Sequence, residues 1–311
     1  MKKYNESRLP LAFDSFGVLP TRRCPRRCGH CYRGDAEPVD LQTAAIDALF
    51  AKNNIRCIRY LYFSGGEPAL NGEGALAFAR ALGDNNVEVD SARIFTACTV
   101  FSEPLVEAMQ TLKQLDSKPE VQLMVSDDFP RETYESLNQA HDYGDPRLIP
   151  LFYADRKLGK VYDRYREACA RIGTKLEMWR EFDNISRAPT VMGRYIQHTL
   201  NNPPPYYRDK PELHAKLVMQ MAESEHISIL EARDRRLEEI DTRITRTGEG
   251  IFSRVEMVSS TLDATGNCLG PIGDFGEWEW YDQIALGHVA KSSLVEMVRR
   301  YMKHRGAENA E

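Results

Sequence analysis

The chain has 311 residues (35.5 kDa), of which 42% are hydrophobic and 28% are charged. That balance is typical of a folded globular protein with one large α/β domain, or a medium domain with a small appendage, and it excludes a disordered or collagen-like chain. The formal net charge of −5 argues against a general nucleic-acid partner. The first 20 residues lack an apolar core of signal-peptide length and no 18-residue apolar run follows, so we expect a cytoplasmic protein with no membrane partner.

Short apolar runs of strand length alternate with amphipathic stretches through the first part of the chain. The predicted strands are residues 16–20, 58–63, 92–97, 121–125, 148–152 and 175–179. The predicted helices between them are residues 41–49, which follow Asp40 as N-cap, and residues 74–82, 105–115, 130–140 and 161–172. This alternation predicts a parallel sheet with right-handed crossovers. Six units in roughly 165 residues are too few for a closed eight-unit barrel, so the expected α/β fold is a partial (β/α)6 barrel.

The sequence changes character beyond residue 200. The cluster Asn201–Pro205 predicts a turn or linker, and residues 211–246 form a highly charged segment that predicts one or two amphipathic helices. Residues 252–262 alternate like a strand, and the turn at 263–267 follows it. We therefore predict a partial-barrel domain at residues 1–200 and, at 201–311, a C-terminal extension made of helix and β-hairpin.

Three of the seven cysteines lie within eight residues, at Cys24, Cys28 and Cys31. A disulfide framework would require an oxidising compartment, whereas this C-x3-C-x2-C spacing in a reducing one indicates metal ligation. Three thiolates can hold three irons of a 4Fe–4S cluster and leave the fourth iron open to a substrate or cofactor. The alternative is a zinc site with His30 or a distant cysteine as the fourth ligand.

An aromatic residue, Tyr32, directly follows the third cysteine, and the motif Ser64–Pro68 (SGGEP) ends the second predicted strand. With these two motifs in this order, about 35 residues apart, the chain resembles the radical S-adenosylmethionine (radical SAM) enzymes. In that family a C-x3-C-x2-C-aromatic loop follows the first strand, and a GGEP motif ends the second. Both motifs occur here without a departure.

The resemblance implies one 4Fe–4S cluster, held by the three clustered cysteines, and SAM bound to its fourth iron. It also implies a group of SAM-binding residues: Tyr32 near the adenine, Gly65 and Gly66 for close backbone approach, carbonyls around Glu67 for the SAM ammonium, Pro68 and Ser126. At Ser126 the family usually reads serine, apolar, aspartate, glycine, whereas this chain reads Ser-Asp-Asp-Phe. A plain strand-to-helix cap is therefore the alternative for Ser126.

Two further cysteines are candidate hydrogen-atom donors to a product radical. Cys98 follows the third predicted strand, at the sheet edge where such folds place their sites, although a buried structural cysteine is the alternative. Cys268 lies in a C-terminal region that resembles the SPASM extension of some family members, because Asp263–Cys268 (DATGNC) and Leu286-Gly287 fit its outline. One thiolate cannot hold an auxiliary cluster, so we predict a SPASM-like hairpin without iron, with Cys268 as a structural residue the alternative.

We call the segment that carries Cys24, Cys28 and Cys31 the cysteine loop. Four arginines lie in or next to it: Arg22, Arg23, Arg26 and Arg27. They could dock an acidic reductant such as flavodoxin or ferredoxin, attract an anionic substrate, or simply be solvated or shield the cluster. For the substrate we expect a small-molecule natural-product intermediate, a sugar or amino-acid derivative, because only about 15 residues precede the first predicted strand. A maturase or epimerase of a ribosomally made peptide is the alternative. A non-catalytic iron–sulfur or zinc protein is a third reading, against which the intact GGEP motif argues.

Overall fold

The computed structural model describes residues 8–26, 33, 35–126, 156–179, 200, 210–270 and 285–308. In chain order the elements are β1 (Pro10–Val18), α1 (Thr43–Lys52), β2 (Asn54–Phe63), a 3-10 helix (Pro68–Asn71), α2 (Gly72–Asp84), β3 (Glu88–Thr96), α3 (Glu103–Gln114), β4 (Glu120–Ser126), α4 (Arg156–Ile172), β5 (Lys175–Trp179), α5 (Pro211–Gly248), β6 (Val255–Leu262), β7 (Asn267–Cys268), β8 (Gly287–His288) and α6 (Leu294–Glu308). The predicted strand 148–152 and helix 130–140 lie outside the described residues.

The strands form one open sheet in the order β5-β4-β3-β2-β1-β6-β7-β8. Strands β1 to β6 are all parallel, and only the two-residue strands β7 and β8 are antiparallel. The α/β class and the parallel, unclosed sheet of the prediction are confirmed. The carboxyl ends of the parallel strands meet at one edge, which is where α/β sheets place their binding sites.

Two predicted boundaries are wrong at the start of the chain. The first strand is Pro10–Val18 and not residues 16–20, because its backbone pairs with β2 from Pro10 to Val18 and with β6 from Leu11 to Val18. Helix α1 begins at Thr43 after Gln42, whose side chain makes no capping hydrogen bond. Asp40 is not its N-cap, because the Asp40 carboxylate instead accepts a hydrogen bond from Thr21 Oγ1 at 2.6 Å.

The core lies between the sheet and the helices on one face, and Phe78 of α2 is at its centre. Its ring packs against Phe16 of β1, Phe50 of α1 and Phe63 of β2, with ring centroids 5.9, 5.5 and 6.0 Å away. All four rings are buried. This aromatic cluster fixes α1 and α2 against the strands that end at the candidate site.

The charged C-terminal segment is a single helix, α5, of 38 residues. It is fastened to α6 by ion pairs, among them Asp241 with Arg299 at 2.7 Å and Glu238 with Arg305 at 2.8 Å. The hairpin-like turn is also present, since Asp263 N–H donates to the carbonyl of Asn267 at 2.9 Å. The division at residue 200 stays a prediction, and β6 from the predicted extension is part of the same sheet as β1. Among the described residues, no helix is both long and apolar enough to cross a lipid bilayer.

We expect Phe78→Ala to lower the free energy of unfolding by about 3–5 kcal/mol, because it opens a cavity among three other aromatic rings. The measurement is urea denaturation followed by circular dichroism. The control is Ile251→Ala: Ile251 is 62% exposed, so its loss should change stability by no more than about 0.5 kcal/mol. Equal effects for the two variants would contradict this description of the core.

Candidate functional site

The cysteine loop begins where β1 ends, and backbone hydrogen bonds close its base. Arg22 N–H donates to the Val39 carbonyl at 2.9 Å, and Glu37 N–H donates back to the Arg22 carbonyl at 3.2 Å. Cys24 is half-buried just inside this closure. Cys28, Cys31 and Tyr32 lie outside the described residues, so the three-cysteine ligand set stays a prediction. Within the described part of the chain, no group of three metal-binding side chains is found.

The glycines of the GGEP motif bring the end of β2 against the backbone that leads into Cys24. Gly66 N–H donates to the Thr21 carbonyl at 2.9 Å, and Glu67 N–H donates to the Arg23 carbonyl at 2.7 Å. A Cβ on Gly66 would lie 2.1 Å from the Arg23 carbonyl oxygen. No side chain fits at such a distance, so glycine is required for this contact. The GGEP motif is therefore adjacent in space to the backbone that enters the cysteine loop.

The Glu67 side chain is completely buried and joins the end of β2 to the end of β3. Its carboxylate accepts hydrogen bonds from Thr96 Oγ1 and Ala97 N–H, both at 2.8 Å, and from Ala69 N–H at 3.1 Å. Burial raises the pKa of Glu67, and the hydrogen bond from Thr96 is the largest effect that opposes the rise. The Glu67 carbonyl accepts from Leu70 N–H at 2.9 Å and so starts the 3-10 helix at Pro68.

Ser126 ends β4 at the same edge of the sheet, half-buried. Its carbonyl accepts a hydrogen bond of 3.4 Å from Arg26 Nη1, which links the cysteine loop to β4. The segment that follows Ser126 lies outside the described residues. Both interpretations of its side chain, SAM contact and helix cap, therefore stay predictions.

Of the four arginines around the loop, Arg22 and Arg23 make structural ion pairs, and Arg27 lies outside the described residues. Arg22 is 1% exposed and paired with Asp263 at 2.6 Å, so it cannot contact a docked reductant. Arg23 pairs with Asp40 at 2.8 Å and donates to the Leu70 carbonyl at 2.6 Å. Arg33, which the sequence did not single out, donates to Ser64 Oγ at 3.4 Å. Docking of a reductant by this group stays a prediction, and Arg22 is excluded from it.

Sequence reasoning missed the partnership between Arg22 and Asp263. The two residues are 241 positions apart, and neither the arginine cluster nor the DATGNC turn carries a signal that links them. Only the pairing of β1 with β6 brings them together.

The two candidate hydrogen-atom donors are both fully buried. Cys98 has a backbone φ of 56° and its N–H donates to Thr96 Oγ1 at 3.0 Å, within the main hydrophobic core. Cys268 lies 3.2 Å from Ser260 Oγ, and burial raises the pKa of its thiol to about 11. At neutral pH the Cys268 thiol is therefore protonated. Their burial matches the alternative reading of structural cysteines, and the donor role stays a prediction for both.

Comparison with known proteins bears on the same residues. The model of the Radical SAM superfamily matches residues 18–146, a range that holds both the cysteine loop and the GGEP motif. No curated protein matches the sequence.

Two solved structures are similar over most of the chain at low identity. Native anSMEcpe with bound AdoMet and the Cp18Cys peptide has a TM-score of 0.44 and 13% identity, over 93% of this chain and 80% of that one. SuiB of Streptococcus suis bound to the precursor peptide SuiA has a TM-score of 0.35 and 8% identity, over 92% of this chain and 64% of that one. With such scores these likenesses add nothing to the assignment. The assignment rests on the family model together with the sequence motifs that lie inside its range: residues 18–146 are a radical SAM domain.

Proposed function

We propose that this enzyme holds one 4Fe–4S cluster on Cys24, Cys28 and Cys31, binds SAM beside Gly65–Pro68, and abstracts hydrogen from a polar small-molecule substrate. The observation that carries this proposal is the pair of backbone hydrogen bonds from Gly66 and Glu67 to Thr21 and Arg23. They place the GGEP motif directly beside the entry to the cysteine loop.

The residues present fit the two cofactors that the family uses. Three thiols in a C-x3-C-x2-C pattern are one ligand short of a complete set for a 4Fe–4S cluster, which leaves one iron for another molecule. Next to them, Gly65 and Gly66 have no room for a Cβ, since a Cβ on Gly65 would lie 2.6 Å from the Thr21 carbonyl oxygen, and their backbone therefore lies directly against the segment that leads to Cys24.

When bound, the cluster and SAM supply reductive cleavage of SAM to a 5′-deoxyadenosyl radical that takes hydrogen from the substrate. The chain's own residues hold the segments around the site in place. The Glu67 carboxylate fixes the GGEP turn to the β3 end from inside, so its side chain supports the site and does not line it. Tyr165 of α4 holds the loop between β3 and α3, because its hydroxyl donates to the Val100 carbonyl at 3.0 Å and accepts from Ser102 N–H at 3.1 Å.

Three polar side chains in one row of the sheet, those of Thr261, Tyr62 and Arg93, support the choice of a small polar substrate. Thr261, Gly17, Tyr62 and Arg93 are in register across β6, β1, β2 and β3, and thus on one face of the sheet. Both faces of a parallel sheet are usually apolar. Here the Tyr62 hydroxyl lies 3.2 Å from Thr261 Oγ1, and Arg93 Nε donates to Gln122 at 3.0 Å. Such hydrogen-bonding groups suit a sugar or amino-acid derivative, and a peptide substrate is the alternative that the assay below distinguishes.

The proposal is tested by anaerobic reconstitution with iron and sulfide, followed by dithionite and SAM. We expect about four irons per chain, and 5′-deoxyadenosine and methionine as products. Addition of candidate sugars, amino-acid derivatives and peptides in parallel then identifies the class that increases 5′-deoxyadenosine formation. Stimulation by peptides alone would overturn the substrate class. A cluster that never cleaves SAM would favour a non-catalytic iron–sulfur protein.

Replacement of Cys24, Cys28 and Cys31 together by alanine should abolish iron binding, because the cluster loses all of its proposed protein ligands. Iron and sulfide analysis after reconstitution is the measurement. The control is Cys57→Ala, a buried cysteine on β2, which should keep about four irons per chain. A full cluster in the triple variant would disprove the ligand assignment, and seven or eight irons in the unaltered protein would reveal an auxiliary cluster.

Thr96→Val should lower the free energy of unfolding by about 1–3 kcal/mol, because the buried Glu67 carboxylate loses a donor and Cys98 N–H loses an acceptor. The loss should grow with pH. The Thr96 hydrogen bond lowers the pKa of Glu67, so the variant raises that pKa further above its unfolded-state value. A carboxyl group with a raised pKa stabilises the fold while protonated and loses this contribution as the pH rises through the folded-state pKa.

The loss in free energy of unfolding, relative to the unaltered protein, should therefore be smaller at acid pH, where Glu67 is protonated in both proteins, and larger toward neutral pH. Urea denaturation of the iron-free protein across this range is the measurement. Thr99→Val is the matched control, since Thr99 Oγ1 is 3.4 Å from the carboxylate and contributes less. A deficit that does not change with pH would show that Glu67 does not ionise in this range.

A further inference from the structure

Arg22 carries the largest fully buried side chain among the described residues, and it lies two positions before Cys24. Its guanidinium makes a two-pronged contact with Asp263, through Nη2 to Oδ2 at 2.6 Å and Nε to Oδ1 at 3.4 Å. Both side chains are removed from solvent, at 1% and 0% exposure. A buried pair of this kind is rigid and geometrically specific.

Asp263 is also held in place by hydrogen bonds within its own turn, independently of Arg22. Its carboxylate accepts from Thr265 Oγ1 at 2.8 Å and from Thr265 N–H at 3.2 Å. Its carbonyl accepts from Gly266 N–H at 2.8 Å, and its own N–H donates to the Asn267 carbonyl at 2.9 Å. The turn at the end of β6 therefore presents a carboxylate whose direction is already fixed.

Arg22 joins this turn to both ends of the cysteine loop. Its Nη1 donates to Glu37 at 2.8 Å, on the chain that leaves the loop. Its backbone bonds to Val39 and Glu37 close the base of the loop. One side chain thus ties the entry of the loop, its exit and the C-terminal turn together.

The energy of this arrangement depends on both charges being present. A bidentate contact in the interior compensates for much of the cost of removing the two charges from water. If one charge is removed, the other remains buried without compensation. Movement of the segment that carries the remaining charge lowers this free-energy cost by bringing the charge into contact with water. Arg22 belongs to the base of the cysteine loop, so this segment is the one that should loosen.

We propose that Asp263 is a positioning residue for the cysteine loop: the turn after β6 holds Arg22, and Arg22 holds together the two described ends of the loop, residues 22–26 and 35–39. The C-terminal region then serves the cluster through an ion pair and needs no auxiliary iron of its own. The link to the cluster rests on the proposed function above, whereas the effect on the loop does not.

The test compares Asp263→Asn with Asp241→Asn in the full-length protein. Asp241 also pairs with an arginine, Arg299, at 2.7 Å, but between α5 and α6 and away from the loop. Hydrogen exchange of the iron-free proteins, read by mass spectrometry, gives the local effect. We expect amides of residues 22–40 to exchange about tenfold faster or more in Asp263→Asn, whereas Asp241→Asn should change only α5 and α6.

A second readout is the rate at which a chelator removes iron from the reconstituted proteins. It should rise about tenfold in Asp263→Asn and stay unchanged in Asp241→Asn. Thr265→Val is a milder variant in case Asp263→Asn does not fold. It removes one hydrogen bond to Asp263 without exposing a buried charge, and it should quicken exchange in the same peptides.

Unchanged exchange at residues 22–40 in a folded Asp263→Asn or Thr265→Val protein would overturn the proposal, as would equal acceleration by Asp241→Asn. If the unaltered protein takes up no iron, the proposed function fails. The exchange measurement on iron-free protein still decides the role of Asp263 in that case.

Discussion

The candidate site depends on one close contact between backbones, that of Gly66 with Arg23. Because a Cβ at this position would lie 2.1 Å from a carbonyl oxygen, the contact exists only if residue 66 has no side chain. It allows β2 and the segment after β1 to continue their pairing beyond the ends of the strands. The entry of the cysteine loop is therefore an extension of the sheet, because backbone hydrogen bonds to the end of β2 continue into it.

Buried charge fixes the surroundings of this contact, and it does so in two opposite ways. Glu67 is a single buried carboxylate surrounded by neutral donors, so burial dominates and its pKa rises. Arg22 is a buried cation with two carboxylate partners, and its charge is compensated. Each group holds two segments together that are distant in sequence: Glu67 joins β2 to β3, and Arg22 joins the cysteine loop to the turn after β6. The described ends of the cysteine loop and the loop after β3 are thus held by internal polar contacts.

Much of the fold follows from local pattern, and so does the family. The β-branched and aromatic run of β2, the periodicity of α2 and α3, and the spacing of the cysteines and of SGGEP are all readable within windows of a few residues. What local pattern does not give is pairing across long distances. Asp40 has the residue type of an N-cap, yet Thr21 and Arg23 compete for its carboxylate and win. Arginines beside the cysteine loop suggest that they attract an anion from outside the protein. Only the fold shows that Arg22 is already paired with a carboxylate of the chain itself, that of Asp263.

The same limit explains the place of the C-terminal region. Alternation over residues 252–262 predicts a strand but not its partner, and β6 pairs with β1 in parallel register along seven residue pairs. Without β6, one side of β1 would be an open edge with unpaired backbone groups. β6 satisfies that edge and at its end delivers Asp263 to Arg22. A strand pairing that the fold needs for its backbone hydrogen bonds therefore also brings Asp263 to Arg22, at the base of the cysteine loop.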